Sequence, residues 1–186
     1  FQWDPGDGND VIEGQAGVDN MLFFGSNASE NIDIFANGGR VTFLRNVANV
    51  TMDLDDVESI DFRALGGADN IVVGDLNGTD MKHIGLDLRG ANGSGDFAAD
   101  IVTVNGSAAA DNVTVTGGQQ AYSVKGLFAA VEVRGLDPSD DALQINTLGG
   151  ADLIDASDVA VSSGFKGFSL NLIANGGLGV DTFIGS

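Results

Sequence analysis

Apolar residues along this chain occur in short stretches that alternate with polar residues, which is the pattern of half-buried β-strands. Ile32/Ile34, Ile71/Val73 and Val113/Val115 are examples. Asn-Gly and Gly-Gly pairs, which are typical of turns, separate these stretches. No stretch has a convincing helical period, and residues 75–84 are the most ambiguous segment. The pattern therefore predicts an all-β protein.

The predicted strands fall into two series whose members start mostly 18 to 22 residues apart. A coil of about 20 residues that gives one strand to each of two sheets accounts for this spacing. We therefore expect a right-handed parallel β-helix or β-roll, with two parallel sheets, over residues 1–186. Two stretches within it, 25–105 and 106–186, resemble each other and predict a tandem duplication of about four coils each.

A carboxylate opens nine of the apolar stretches, in the pattern acid-x-apolar-x-(apolar or small). Four of the eight gaps between successive acids are 11 residues long. We interpret this gap as the distance from one sheet to the other within a coil. The nine acids are Asp19, Glu30, Glu58, Asp69, Asp100, Asp111, Asp141, Asp152 and Asp181.

Charge narrows the classes of partner. The 186 residues include 8 Lys or Arg and 27 Asp or Glu, so the formal net charge is −19. This balance argues against nucleic acids and anionic membrane surfaces, and it favours cations. Cysteine is absent, which excludes disulfides and thiolate metal sites. No apolar run is long enough to predict a membrane span, and the composition suits an extracellular protein.

Three glycine-rich segments carry a more specific motif. Residues 6–14, 14–21 and 176–183 approach the nonapeptide Gly-Gly-x-Gly-x-Asp-x-apolar-x, and Asp10 and Asp19 are nine residues apart. These segments resemble the RTX, or haemolysin-type, calcium-binding repeat, specifically over 4–23 and 176–185 and partially over 65–74 and 148–157. The resemblance implies a β-roll in a large bacterial protein exported by type I secretion, located outside the cell or at its surface, with further repeats or domains in a longer parent chain.

The resemblance also implies Ca²⁺ as the cofactor. Glycines permit left-handed turns that direct carbonyl oxygens inward, and Ca²⁺ takes about six to eight hard oxygen ligands. Loops of adjacent coils would share one ion, although several neighbouring loops here lack the full motif, which leaves half-sites as an alternative. The implied ligands are Gly6, Gly8, Asp10, Gly17, Asp19, Gly177, Gly179 and Asp181, with Asp69 and Asp152 as weaker members.

A structural interpretation competes with calcium binding. Acids and glycines also mark turns, where a carboxylate caps backbone N–H groups. We favour this interpretation for five of the nine acids, namely Glu30, Glu58, Asp100, Asp111 and Asp141.

Catalysis is not expected. His83 is the single histidine, no nucleophile elbow is present, and Asp55/Asp56 are interpreted as solvated turn acids. The expected function is a calcium-binding structural repeat module, a spacer or scaffold. The alternatives are an adhesin or glycan-binding module, with self-association as a further option, and a fragment of a parallel β-helix polysaccharide lyase or epimerase. The lyase alternative needs clustered basic residues, whereas the basic residues here are scattered along the sequence at 40, 45, 63, 82, 89, 125, 134 and 166.

Overall fold

The structure, a computed structural model, describes residues 1–118, 120–137, 139–159 and 171–185. These residues form an all-β protein with one short 3-10 turn at Val47–Asn49 and no α-helix. The first nine strands are β1 Gln2–Trp3, β2 Asp10–Glu13, β3 Asn20–Ser26, β4 Asn31–Asn37, β5 Arg40–Arg45, β6 Val50–Asp55, β7 Ser59–Leu65, β8 Asn70–Val73 and β9 His83–Gly90. The others are β10 Ile101–Asn105, β11 Asn112–Gly118, β12 Ala121–Lys125, β13 Ala130–Arg134, β14 Ala142–Asn146, β15 Leu153–Asp155, β16 Asn171–Asn175 and β17 Thr182–Ile184.

The strands form two open sheets between which the chain alternates. Sheet A has the order β1-β3-β7-β9-β13-β12-β11-β15-β17, and sheet B has the order β16-β14-β10-β8-β4-β5-β6-β2. Most neighbours are parallel, as in the pairs β3–β7, β7–β9, β8–β10 and β10–β14. The all-β class predicted from the sequence is therefore confirmed.

Two antiparallel meanders interrupt the parallel pairing and correct the expected architecture. Strands β4–β5–β6 form one meander in sheet B, and β11–β12–β13 form the other in sheet A. Both sheets are therefore mixed, and the prediction of two parallel sheets is wrong in this respect. The stacking is also less uniform than a 20-residue coil, since β4 pairs with β8 at a separation of 39 residues (Asn31 with Asn70).

The hairpin turns explain the difference. Only Gly38 and Gly39 separate β4 from β5, and Gly38 has φ +66°, a left-handed conformation that suits a tight reversal. A strand that folds back on its neighbour shows the same period-2 apolar pattern as a strand that begins a new turn. Sequence spacing alone therefore did not separate the two cases.

The core lies between the two sheets, which meet through large apolar side chains. Phe23 of sheet A has its ring centroid 4.5 Å from that of Phe43 in sheet B, and Phe43 is 5.8 Å from Phe62 of sheet A. Trp3 stacks on Phe23 with 4.0 Å between centroids. Alternate residues of most strands are buried in this way. The repeated acids stand just before the strands, at the turns where the chain enters each sheet.

Candidate functional site

The nine repeated acids form ladders that run from strand to strand at the entrances of the two sheets. In the longest ladder, at the entrance of sheet B, the backbone N–H of Glu30 donates to Asp69 Oδ1 at 2.8 Å. The N–H of Asp69 donates in turn to Asp100 Oδ1 at 2.8 Å, and the N–H of Asp100 to Asp141 Oδ1 at 2.9 Å. Each rung thus connects two acids that lie 31 to 41 residues apart in the chain.

Sheet A carries two shorter ladders of the same design. The N–H of Asp111 donates to Asp152 Oδ1 at 2.9 Å, and the N–H of Asp152 donates to Asp181 Oδ1 at 3.2 Å. Near the other end of the sheet, the N–H of Asp19 donates to Glu58 Oε2 at 2.7 Å. Six of the nine acids thus cap a backbone N–H group at the neighbouring strand entrance, namely Glu58, Asp69, Asp100, Asp141, Asp152 and Asp181.

The ladders use the backbone carbonyl of the acid as well as its side chain. The carbonyl of Asp100 accepts the N–H of Ala142, and that of Asp111 accepts the N–H of Leu153. Two hydrogen bonds therefore join neighbouring acids of a ladder. The backbone N–H of one acid donates to the carboxylate of the next acid, and its backbone carbonyl accepts the N–H of the residue after that next acid. This arrangement explains why an acid recurs at the same position before the strands.

Burial makes the sheet B ladder electrostatically unusual. Glu30, Asp69, Asp100 and Asp141 are at most 2% exposed. Burial raises the pKa of Asp69 to about 7, of Asp100 to about 8 and of Asp141 to about 6, and neighbouring carboxylates add to these increases. The backbone N–H donors oppose the shift without cancelling it. The ladder therefore holds part of its protons near neutral pH.

The Glu30 end of this ladder carries the compensating cation. Arg45, which is 4% exposed, donates through Nε to Glu30 Oε1 at 3.0 Å, and Ser26 Oγ donates to the same oxygen at 2.6 Å. One buried carboxylate oxygen each of Glu30, Asp69 and Asp152 has no hydrogen-bond partner among the described residues. At these three positions, one carboxylate oxygen accepts at least one hydrogen bond and the other accepts none from the described residues.

The predicted calcium ligands separate into two groups in the structure. Asp69, Asp152 and Asp181 are ladder residues, with Asp69 in the sheet B ladder and the other two in sheet A. Within the described residues, the carboxylates of Asp10 and Asp19 accept no hydrogen bond, and neither residue belongs to a group of three acids. Asp10 and Asp19 are therefore the predicted acidic ligands whose carboxylates accept no hydrogen bond of a ladder.

The predicted glycines also differ from one another. A Cβ at Gly177 would lie 2.1 Å from the carbonyl oxygen of Leu148, and a Cβ at Gly179 would lie 1.4 Å from that of Gly150. Close backbone packing therefore requires glycine at both positions. A Cβ at Gly6 or Gly8 would meet nothing within 4 Å, and at Gly17 it would meet only Asp19 Oδ2, at 3.4 Å. Positive φ angles of 117°, 86° and 149° favour glycine at 6, 8 and 17.

The sequence led us to interpret Asp55 and Asp56 as solvated turn acids, and it gave no sign that Asp80 lies beside them. Among the described residues, Asp55, Asp56 and Asp80 form the one group of three acids in which one carboxylate oxygen from each residue lies within 4.8 Å of those from the other two. Burial and the charges of Asp55 and Asp80 raise the pKa of Asp56. Arg40 Nη1 contacts Asp55 Oδ2 at 2.9 Å and offsets part of this negative charge. The group, which we call the acid triad, has oxygen ligands of the kind that hard cations prefer.

Comparison with protein-family models, with curated proteins and with solved structures gives no match to this chain. Within the described part of the chain, no helix is long and apolar enough to cross a membrane.

Proposed function

We propose that this chain is a structural repeat module, a spacer or scaffold of a secreted bacterial protein, and that it has no catalytic role. The observation that carries the proposal is the set of carboxylate ladders, in which equivalent acids of successive turns bind one another's backbone. Such rungs stabilise the contact between neighbours in a stack. Repeat proteins of this kind depend on interfaces between neighbouring units.

The open sheet edges support a module that extends by adding units. Among the described strands, sheet A ends at β1 and β17, and sheet B ends at β2 and β16. The strands at these edges expose apolar side chains, including Val11, Ile173 and Phe183, which are 67%, 41% and 51% exposed. Unpaired edges with apolar residues are normally covered by further strands or caps. We therefore propose a β-solenoid onto which further repeats of a parent chain stack at either end.

Calcium is the cofactor that we propose for this module. The open carboxylate oxygen of Asp152, the free carboxylates of Asp10 and Asp19, and the acid triad all provide the hard oxygen atoms that Ca²⁺ prefers. A divalent cation at any of them would reduce repulsion within a chain of net charge −19. The ladder oxygens that already accept N–H groups do not require an ion.

Calorimetric titration of Ca²⁺, together with thermal unfolding in calcium and in chelator, tests this proposal. We expect heat of binding, a sharper transition and a higher midpoint in calcium. The double variant Asp10→Asn/Asp19→Asn should lose part of the binding if the RTX-like segment supplies a site. Absence of binding and an unchanged midpoint in chelator would refute the calcium part alone. The scaffold part fails if variants of the ladder acids unfold like the wild-type chain.

A further inference from the structure

Three of the eight basic residues, scattered along the sequence, come together on the outer face of sheet A. Asp87 of β9 is in register with Arg63 of β7 on one side and with Arg134 of β13 on the other. Arg89 lies two residues beyond Asp87 on the same outward side of β9. The three arginines line a groove of about 270 Å³. A second depression of about 160 Å³ shares Arg63, Asp87 and Arg89 with it and lengthens the groove along the face.

The arginines of this groove are held in place but retain free donors. Arg89 Nε donates to Asp87 Oδ1 at 2.7 Å, and Arg134 Nη2 donates to Glu132 Oε2 at 2.8 Å. Their side chains are nevertheless 46% and 63% exposed. A guanidinium has five N–H donors, so each of these arginines has donors left for a ligand.

Arg63 is the arginine of this groove whose charge is least neutralised by its neighbours. Within the described residues it makes no ion pair, and its Cζ lies 5.3 Å from the ring centroid of Phe24. This contact on one face orients the guanidinium over the groove without neutralising it. Arg89 and Arg134 are paired with Asp87 and Glu132, so Arg63 supplies the guanidinium of this groove that has no ion-pair partner among the described residues. On a chain of net charge −19, such a guanidinium offers the carboxylate of a ligand a point of attachment.

A glycine, Gly85, lines the groove and leaves room for the carboxylate beside it. Gly85 of β9 lies in register between Asp61 of β7 and Glu132 of β13. A Cβ at position 85 would lie 2.6 Å from Asp61 Oδ1, so a larger residue would displace that carboxylate. The result is an open trough in which hydrogen-bond acceptors alternate with arginines.

We propose that this groove binds an acidic polysaccharide, whose carboxylates pair with Arg63, Arg89 and Arg134 while Asp61 and Asp87 accept bonds from its hydroxyl groups. Guanidinium and carboxylate match each other in planar geometry, and sugar hydroxyls supply the donors that the acids need. An acidic peptide suits the site less well, because β7, β9 and β13 are interior strands. They have no unpaired edge to which a peptide strand adds. This inference goes beyond the scaffold proposal, which survives if the groove binds nothing.

Isothermal titration of the whole chain with polygalacturonate, at low ionic strength and in chelator, tests the inference. The chelator prevents calcium from bridging two sets of carboxylates. Wild-type chain should bind polygalacturonate and not its fully methyl-esterified form. Arg63→Gln and Arg134→Gln should each weaken binding about tenfold, because each removes a charge-assisted hydrogen-bond donor.

Lys125→Gln is the matched control, since it removes one positive charge from an exposed position of sheet A outside the groove. It should leave the affinity unchanged. The inference is overturned if the wild-type chain does not bind, if Lys125→Gln weakens binding as much as the arginine variants, or if polyglutamate binds as tightly as polygalacturonate. Circular dichroism melts confirm that each variant is folded, and Arg134, at the exposed end of β13, provides a test even if Arg63→Gln unfolds.

Discussion

The backbone N–H of Asp100 donates to the carboxylate of Asp141, 2.9 Å away and 41 residues later in the chain. The other oxygen of the same carboxylate accepts the N–H of Asp137 at 2.6 Å. One buried side chain therefore satisfies two backbone donors, one from the neighbouring strand entrance and one from its own turn. This double role makes Asp141 the rung at which the ladder is most directly tested.

Replacement of Asp141 by alanine should destabilise the chain. The change leaves the N–H groups of Asp100 and Asp137 without an acceptor in a buried turn, which costs roughly 1–3 kcal/mol for an unsatisfied group. Urea unfolding at pH 5 measures this loss with little contribution from charge repulsion. The adjacent exposed Asp140 is the matched control, since within the described part of the chain its side chain accepts a hydrogen bond from Ser139 Oγ alone. Equal stability of Asp141→Ala and Asp140→Ala would contradict the capping role.

A pH dependence of stability follows from the sheet B ladder. Asp69, Asp100 and Asp141 have pKa values raised to about 7, 8 and 6. The folded state therefore binds more protons than the unfolded state between about pH 4 and pH 8. The ladder's contribution is fully present below the unfolded-state pKa and is lost as the pH rises through the folded-state values. We expect the chain to unfold at lower urea concentration at pH 8 than at pH 5.

The variant Asp100→Asn isolates this effect. Its amide oxygen can still accept the N–H of Asp69, but it cannot ionise beside Asp69, Asp96 and Asp141. We expect it to be roughly 1–3 kcal/mol more stable than the wild-type chain at pH 8 and close to it at pH 5. Asp33→Asn, at an exposed position of β4, is the control and should change neither value appreciably. A wild-type chain whose stability rises from pH 5 to pH 8 would refute the proposed titration.

The strands, and the position of an acid before them, could be predicted from the sequence, because both depend on local patterns of residues. Ile32, Ile71 and Val113 are buried, as their alternation required, and an acid stands before each of these strands. Partners across the sheets leave no such signal. Whether β5 begins a new turn or folds back on β4 depends on the turn at Asn37–Gly39, and the approach of Asp80 to Asp55 depends on the path of the whole turn. The gathering of Arg63, Arg89 and Arg134 likewise follows from strand register alone.

Alanine at Gly179 distinguishes packing from ion binding as the reason for the glycine. A Cβ there would overlap the carbonyl oxygen of Gly150, whereas at Gly6 it would meet nothing within 4 Å. Both residues have positive φ, 142° and 117°, so the conformational cost of alanine is similar and the overlap differs. We expect Gly179→Ala to lower the melting temperature more than Gly6→Ala, in chelator as well as in calcium. Equal effects that appear only in calcium would instead favour backbone ligation of the ion.

The acid triad gives the sharpest test of where calcium binds. Replacing Asp80 by asparagine removes one of three carboxylates within 4.8 Å of one another, and so relieves repulsion that contributes to the raised pKa of Asp56. In chelator, the variant should therefore melt at or slightly above the temperature of the wild-type chain. In calcium, the midpoint of the variant should rise less than that of the wild-type chain, because two carboxylates, one of them bonded to Arg40, hold the ion poorly. Asp33→Asn should respond to calcium like the wild-type chain.

If Asp80→Asn keeps the full calcium response and Asp10→Asn/Asp19→Asn loses it, the ion binds in the glycine-rich loops and not at the triad.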